Sequence, residues 1–155
     1  MLCATKYFGE IEYDETAVIT FEEGIPGFLD VKRFVLLADE AVAEENDLFF
    51  WLQCVDNGDV AFALMDVLQI MPDYDPQIAP DWYADLGEPE QVGIYNIVVI
   101  PEDLQEMRVN LKAPLLIGDR RGRQVVAGNE AYQIRHNVME ELEKARADAA
   151  TSEVV

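Results

Sequence analysis

Phe49-Phe50-Trp51-Leu52-Gln53-Cys54-Val55 and Val60-Ala61-Phe62-Ala63-Leu64-Met65, separated by Asp56-Asn57-Gly58-Asp59, decide the fold of this chain. Both runs are apolar, rich in aromatic and β-branched residues, and of strand rather than helix length. Asn-Gly tolerates the positive φ values that tight hairpin turns need, so the stretch reads as a β-hairpin. A chain built outward from such a hairpin is expected to be mainly antiparallel.

The flanking sequence repeats the pattern. Thr5 to Tyr13 reads as a strand with Glu10 and Glu12 on one side, and Ala17 to Phe21 as another after a turn at Asp14-Glu15. Glu22-Glu23-Gly24-Ile25-Pro26-Gly27-Phe28 is a loop, Leu29 to Arg33 one helical turn, and Phe34 to Leu37 a strand. Val92 to Ile100 is a long apolar strand ended by Pro101, and a second hairpin joins Ala113–Ile117 to Gln124–Ala127 through Gly118 to Arg123. Helix is expected at Asp81–Leu86, at Glu102–Glu106 and from Asn137, where Asn137 and Glu140 have the spacing of a capping box and Val138, Leu142, Ala145 and Ala149 form a narrow apolar stripe. Beyond Ala150 the tail should fray. Short strands with frequent turns predict an all-β, mainly antiparallel fold: a small β-barrel-like single domain over 1–136, with short helices, followed by a C-terminal helix and tail over 137–155.

The 155 residues suffice for one hydrophobic core, and half of them are apolar. No apolar run approaches the ~20 residues of a membrane span, and Met1-Leu2-Cys3-Ala4-Thr5-Lys6 has no signal-peptide layout, so a cytoplasmic setting is expected. Charge is the most informative bulk property. The net charge is -20, and residues 1–107 hold only Lys6, Lys32 and Arg33 against twenty-four acids. Such a surface repels nucleic acid and anionic membranes and steers basic proteins toward itself, although acidity can also serve solubility alone.

The residues offer little for catalysis. His136 is the single histidine, Ser152 the single serine, and Cys3 and Cys54 lack metal-ligand spacing. Asp56-Asn57-Gly58-Asp59 lacks the alternating ligands and closing Glu of a calcium loop, and no glycine-rich phosphate loop occurs. No cofactor or metal is expected. The remaining signal is apolar residues set among acids. Leu68-Gln69-Ile70-Met71-Pro72-Asp73-Tyr74-Asp75-Pro76 and Glu22 to Phe28 combine apolar anchors with charge, as protein–protein sites do, though such residues also cover the ends of barrels. Candidate contact residues are Glu22, Glu23, Phe28, Ile70, Met71, Asp73, Tyr74 and Asp75. Two other readings remain open: a small hydrolase using Asp73 or Asp75 with His136, and an acidic nucleic-acid mimic.

An ordered set of segments carries a resemblance. Thr5-Lys6-Tyr7-Phe8-Gly9-Glu10-Ile11, Ile19 to Phe28, Phe50-Trp51-Leu52-Gln53, Pro72-Asp73-Tyr74, Ile100-Pro101-Glu102-Asp103, Asn110-Leu111-Lys112-Ala113-Pro114 and Tyr132-Gln133-Ile134-Arg135-His136 occur in that order. Together they resemble the flagellar assembly factor FliW family over about residues 5–136. The acidic connection from Ala38 to Leu48 and the helix from Asn137 lie outside that pattern. The resemblance implies a non-enzymatic protein with two partners. One is flagellin, held by its C-terminal region before export. The other is CsrA, an RNA-binding repressor dimer of flagellin translation, which the family member antagonises. A protein of charge -20 docked beside an RNA site is expected to repel RNA without covering it, a non-competitive route. On this reading Ile70, Met71 and Tyr74, with Phe28 nearby, make the apolar contact with flagellin.

Overall fold

The computed structural model describes residues 1–25, 27–38, 49–118 and 120–153. The acidic connection read at Ala38 to Leu48 therefore lies, apart from the backbone of Ala38, outside the described residues. Among the described residues, eleven strands and one α-helix follow one another: β1 Leu2–Thr5, β2 Gly9–Glu12, β3 Ile19–Thr20, β4 Arg33–Ala38, β5 Phe49–Cys54, β6 Ala61–Met65, β7 Gly93–Val99, β8 Arg108–Val109, β9 Leu115–Ile117, β10 Gly122–Gln124, β11 His136–Asn137 and α1 Val138–Glu153. Short 3-10 turns occupy the longer connections. The fold is mostly antiparallel sheet with one C-terminal helix, as the strand and turn pattern predicts.

Nine of these strands form one sheet, with the order β10-β9-β7-β6-β5-β4-β3 and with β8 and β11 added beside β7. The 49–65 hairpin is its middle: Phe49 faces Met65 and Gln53 faces Ala61 across β5 and β6. The sheet curls until the Thr20 N–H donates to Arg120 O at 2.9 Å, beside a single parallel bridge from Thr20 to Arg121. One bridge is not a ladder, so the sheet is strongly curled rather than a closed barrel.

Both faces of the sheet are buried, which explains why its central strands are apolar without alternation. Side chains of successive residues still go to opposite faces. Phe50, Leu52, Cys54, Phe62, Leu64, Tyr95 and Ile97 point to one cluster, closed by Phe21, Ile25, Phe34 and Leu115. Phe49, Trp51, Ala63, Met65 and Val98 point to the other, closed by Tyr74, Met107, Val109, Leu111 and Val138. A smaller cluster of Leu86, Val92, Leu116 and Val125 lies at one end.

Several boundaries differ from the sequence reading. The stretch from Thr5 to Tyr13 is not one strand: it folds back at 6–8, where Gly9 has φ +67° and the Thr5 hydroxyl accepts from Phe8 N–H and donates to Gly9 O. The resulting β1–β2 hairpin puts Tyr7 and Phe8 against Trp51, at ring separations of 6.3 and 5.4 Å. The Asn57-Gly58 turn is longer than two residues, closed by Val60 N–H to Asn57 O, and Gly58 is not in the positive-φ region. Glycine is needed there because a Cβ would collide with the carbonyl oxygen of Ala4.

Residues 29–33 make a plain turn into β4, and the segments expected to be helical at 81–86 and 102–106 hold only the 3-10 turns Pro80–Tyr83 and Leu104–Glu106. The second hairpin returns earlier than expected, Gly122 pairing with Ile117. Gly122 fits because a Cβ would run into the Phe21 ring. β8 and β11 are too short to show in a period-2 pattern. α1 begins as the capping signal says, Asn137 Oδ1 accepting from Glu140 N–H at 3.1 Å, and it continues past Ala150 to Glu153.

Candidate functional site

The candidate residues fall into two segments, and the sheet lies between them. The first is the turn from Phe21 to Val31. Phe21 and Ile25 are buried in the core, while Glu22, Glu23, Phe28 and Leu29 are exposed. Gly24 at φ +70° and Gly27 at φ +88° let the chain fold back on itself, and Phe28 N–H donates to Ile25 O at 2.7 Å. The Phe28 and Phe62 rings meet in a T-shaped pair with centroids 5.2 Å apart, and Phe62 continues inward to Phe34 at 6.0 Å. Phe28 thus ends an aromatic stack that belongs to the first face of the sheet.

The second segment follows β6. Ile70 and Met71 are half-buried and pack on the cluster of the other face, to which Ala63 and Met65 belong. This separates them from Phe28: residues 62 and 63 of β6 point in opposite directions, so the expectation that Phe28 lies near Ile70 and Met71 is corrected. Tyr74 also needs correcting as an exposed anchor, because it is 6% exposed and part of the core. Its hydroxyl donates to Leu111 O at 2.7 Å and accepts from Asn96 Nδ2 at 3.1 Å. Asn96 also donates to Asn110 O at 2.9 Å, while Asn110 Oδ1 accepts from the Lys112 and Ala113 amides.

This network has a reason in the ladder. Val98 pairs with Val109 and Tyr95 with Leu115, so residues 96 and 97 of β7 face the five residues 110–114. The bulge breaks the ladder, and buried backbone groups need other partners. Asn96 and Tyr74 supply them. Burial away from water pushes the Tyr74 phenol up to about 12, against the lesser opposing effect of the hydrogen bond from Asn96.

Asp73 and Asp75 are exposed. Asp75 is built into a turn, its N–H donating to Tyr132 Oη at 2.7 Å and its Oδ1 accepting from Gln77 N–H at 3.2 Å. His136 lies elsewhere: its Nε2 meets Glu141 Oε1 at 2.9 Å, joining β11 to α1. An open groove of about 540 Å³ is lined by Met71, Arg108, Tyr132, Arg135, His136 and Glu140, and by neither Asp73 nor Asp75. Among the described residues the side-chain hydrogen bond of His136 is with Glu141, and none joins it to Asp73 or Asp75, so the structure lends the hydrolase reading no support. Among the described residues, no group of three or more His, Cys, Asp or Glu could hold a metal ion, and no helix is long and apolar enough to cross a membrane.

Sequence reasoning missed several residues. Leu29 stands exposed beside Phe28 because the turn directs both outward, and at sequence level it reads as part of a helical turn. Arg123 donates to Trp82 O at 2.7 Å and Ala84 O at 3.1 Å, which places Trp82 with Glu23 and Asp81 around a shallow groove. No spacing rule links residues forty positions apart. Gln53 and Asn96, fully buried, could have been noticed as polar residues inside apolar strands.

The family model for the FliW protein matches residues 2–138, which spans every strand and the first residue of α1. The chain belongs to the FliW family. It is 42% identical to a flagellar assembly factor FliW of Caldanaerobacter subterraneus subsp. tengcongensis, covering 94% of this chain and 97% of that one. It is 41% identical to the flagellar assembly factor FliW of Thermoanaerobacter pseudethanolicus, over 94% and 97% of the two chains. A crystal structure of the flagellar assembly factor FliW superposes with a TM-score of 0.78 at 32% identity, covering 88% of this chain and 96% of that one. The FliW family is one of flagellar assembly factors, and membership indicates no catalytic activity. The Asn110–Pro114 and Pro72–Tyr74 segments that carried the resemblance hold the two sides of the bulge together. The Tyr7-Phe8 and Trp51 segments form the aromatic contact of the N-terminal hairpin.

Proposed function

We propose that this FliW-family chain acts in the cytoplasm by binding the C-terminal region of flagellin and by antagonising the translational repressor CsrA, so that flagellin synthesis follows filament assembly. Membership of the flagellar assembly factor family supports this reading most directly. Antagonism is non-competitive: a protein of charge -20 docked beside an RNA site spoils its phosphate-attracting field without covering it. Unit charges ~10 Å apart still interact when protein rather than salt water lies between them. Flagellin's terminal segments are amphipathic helices in waiting, which suits a receptor with half-buried apolar residues such as Ile70 and Met71. Methionine's flexible thioether adapts to a partner's ridge.

The test is capture of purified flagellin and purified CsrA on the immobilised chain, with RNA release from CsrA followed at low and moderate salt. The reading expects both proteins to be retained, and RNA release to weaken as salt is added. Failure to retain either protein removes it. Release of RNA that is equally strong at high ionic strength, with the chain still bound, replaces the field mechanism by a conformational one.

A further inference from the structure

We propose that the Asn57-Gly58 turn is a site of spontaneous deamidation, and that the isoaspartate formed there loosens the N-terminal hairpin from the body of the sheet. Of the six asparagines, only Asn57 precedes a glycine. The chemistry needs the backbone nitrogen of the next residue to reach the asparagine carboxamide, and a glycine puts no side chain in the way. Asn57 is exposed, and its carboxamide folds back over the Gly58 amide, Oδ1 accepting from Asp59 N–H at 3.1 Å. That donor also sits where negative charge develops on Oδ1 during the attack. Among the described residues neither the Gly58 N–H nor Asn57 Nδ2 has a hydrogen-bond partner, so nucleophile and leaving group are both unengaged.

Asn129 is the internal contrast. Its Oδ1 accepts from Ala131 N–H at 3.0 Å in the same kind of turn, but Glu130 follows it and its Nδ2 donates to Asp75 O at 3.3 Å. Asn96 is buried before Ile97, and Asn137 caps α1 before Val138. A β-branched neighbour crowds the attacking nitrogen in both cases.

The steps balance with water as the sole co-reactant. Gly58 N loses its proton and bonds to Asn57 Cγ. The Cγ–Nδ2 bond breaks, Nδ2 leaves with that proton as ammonia, and a succinimide ring closes. Water then opens the ring. Addition at Cγ breaks the new bond and restores the backbone, with aspartate at position 57. Addition at the backbone carbonyl carbon of residue 57 breaks the original peptide bond and leaves isoaspartate, in which the main chain runs through Cβ and Cγ.

The fold makes the two products unequal. Gly58 O accepts from Lys6 N–H at 3.0 Å and from Gln53 Nε2 at 3.3 Å, and Gly58 lies so close to Ala4 O that no Cβ fits between them. The longer main chain of isoaspartate moves Gly58 off these partners, whereas aspartate leaves it in place.

The experiment incubates the purified full chain in mildly alkaline buffer and follows it by mass spectrometry, with fragmentation that separates isoaspartate from aspartate. A mass gain of about 1 Da should appear first at residue 57, with isoaspartate the larger product. Asn57→Gln, whose longer side chain must close a larger ring, should slow the gain at this position by about tenfold or more. The isolated isoaspartate form should show faster amide exchange than fresh protein in residues 2–12, ahead of β4 and β7. Fresh Asn57→Asp should exchange like the wild type. Should Asn57→Gln fail to fold, the position and order of the mass gain in the wild type decide. The proposal is overturned by no gain at residue 57, by an earlier gain at another asparagine, or by an undiminished rate in folded Asn57→Gln. It is equally overturned by an isoaspartate form whose residues 2–12 exchange as in fresh protein or no sooner than β4 and β7, or by fresh Asn57→Asp that exchanges as fast as that form.

Discussion

At the scale of single residues, the buried polar side chains carry more of the design than the acids that dominate the composition. Asn96 has no exposure, yet it sits on β7 between strands that read as continuous apolar runs. Its role follows from the bulge: two amide hydrogens serve Tyr74 Oη and Asn110 O, where no strand partner exists. Asn96→Leu should lower stability by about 2 kcal/mol or more, because it orphans a buried carbonyl and adds volume beside Tyr74. Urea unfolding read by circular dichroism measures this. Tyr74→Phe should cost about 1–3 kcal/mol by the same count of buried groups left without a partner.

Tyr74 also makes a pH prediction. Its folded pKa of about 12 lies above the ordinary tyrosine value of 10, so the folded state holds its proton longer than the unfolded state does. The stability it contributes is complete below pH ~10 and is lost as pH rises toward ~12. Burial raises Tyr95 in the same direction. Alkaline unfolding should therefore be shallower in Tyr74→Phe than in the wild type, when melts are compared between pH 9 and 12. Identical slopes would mean that the phenol is hydrated in the folded state.

At the scale of elements, the N-terminal hairpin illustrates how two segments hold one another. Among the described residues β1 and β2 pair only with each other, and they join the body through Lys6 N–H to Gly58 O at 3.0 Å, Cys3 Sγ to Val55 O at 3.5 Å and the rings of Tyr7 and Phe8 on Trp51. Gly58 is the contact point. Gly58→Ala should push β1 away, destabilise the chain by about 1–3 kcal/mol, and raise amide exchange in residues 2–12 before exchange in the central sheet. Uniform exchange across both regions would show that the hairpin is not a separate unit. The start of α1 is held by fully buried Val138, half-buried Leu142 and the Asn137 cap. Asn137→Ala should cost about 1 kcal/mol, visible as a lower melting temperature.

At the scale of the whole molecule, self-repulsion is the main electrostatic cost. The formal net charge of -20 opposes compaction, and described ion pairs such as Arg33 with Glu15 and with Asp56, at 2.8 and 2.9 Å, are too exposed to offset much of it. Added monovalent salt should screen that repulsion and raise the melting temperature between about 0.02 and 0.5 M, where the Debye length shrinks from roughly 20 Å to under 5 Å. A melting temperature that falls over this range would mean that favourable ion pairs outweigh the repulsion.

The sequence by itself determined the central hairpin, the antiparallel character, the family and the helix start at Asn137, because each is written in local chemistry: apolar runs of strand length, turn residues, a cap, an ordered set of segments. Only the tertiary structure decided which of the candidate contact residues share a surface. Ile70, Met71 and Tyr74 are close in sequence, yet the Tyr74 side chain turns inward to serve the bulge on β7. Phe28 is joined to Phe62 on the face opposite to Ala63 and Met65, so it stands apart from Ile70 and Met71. Local pattern reports whether a residue is apolar or charged. Which way a loop residue faces depends on partners far away in sequence: a strand register for Tyr74, a stack of rings for Phe28, and a carbonyl of Ala4 for Gly58.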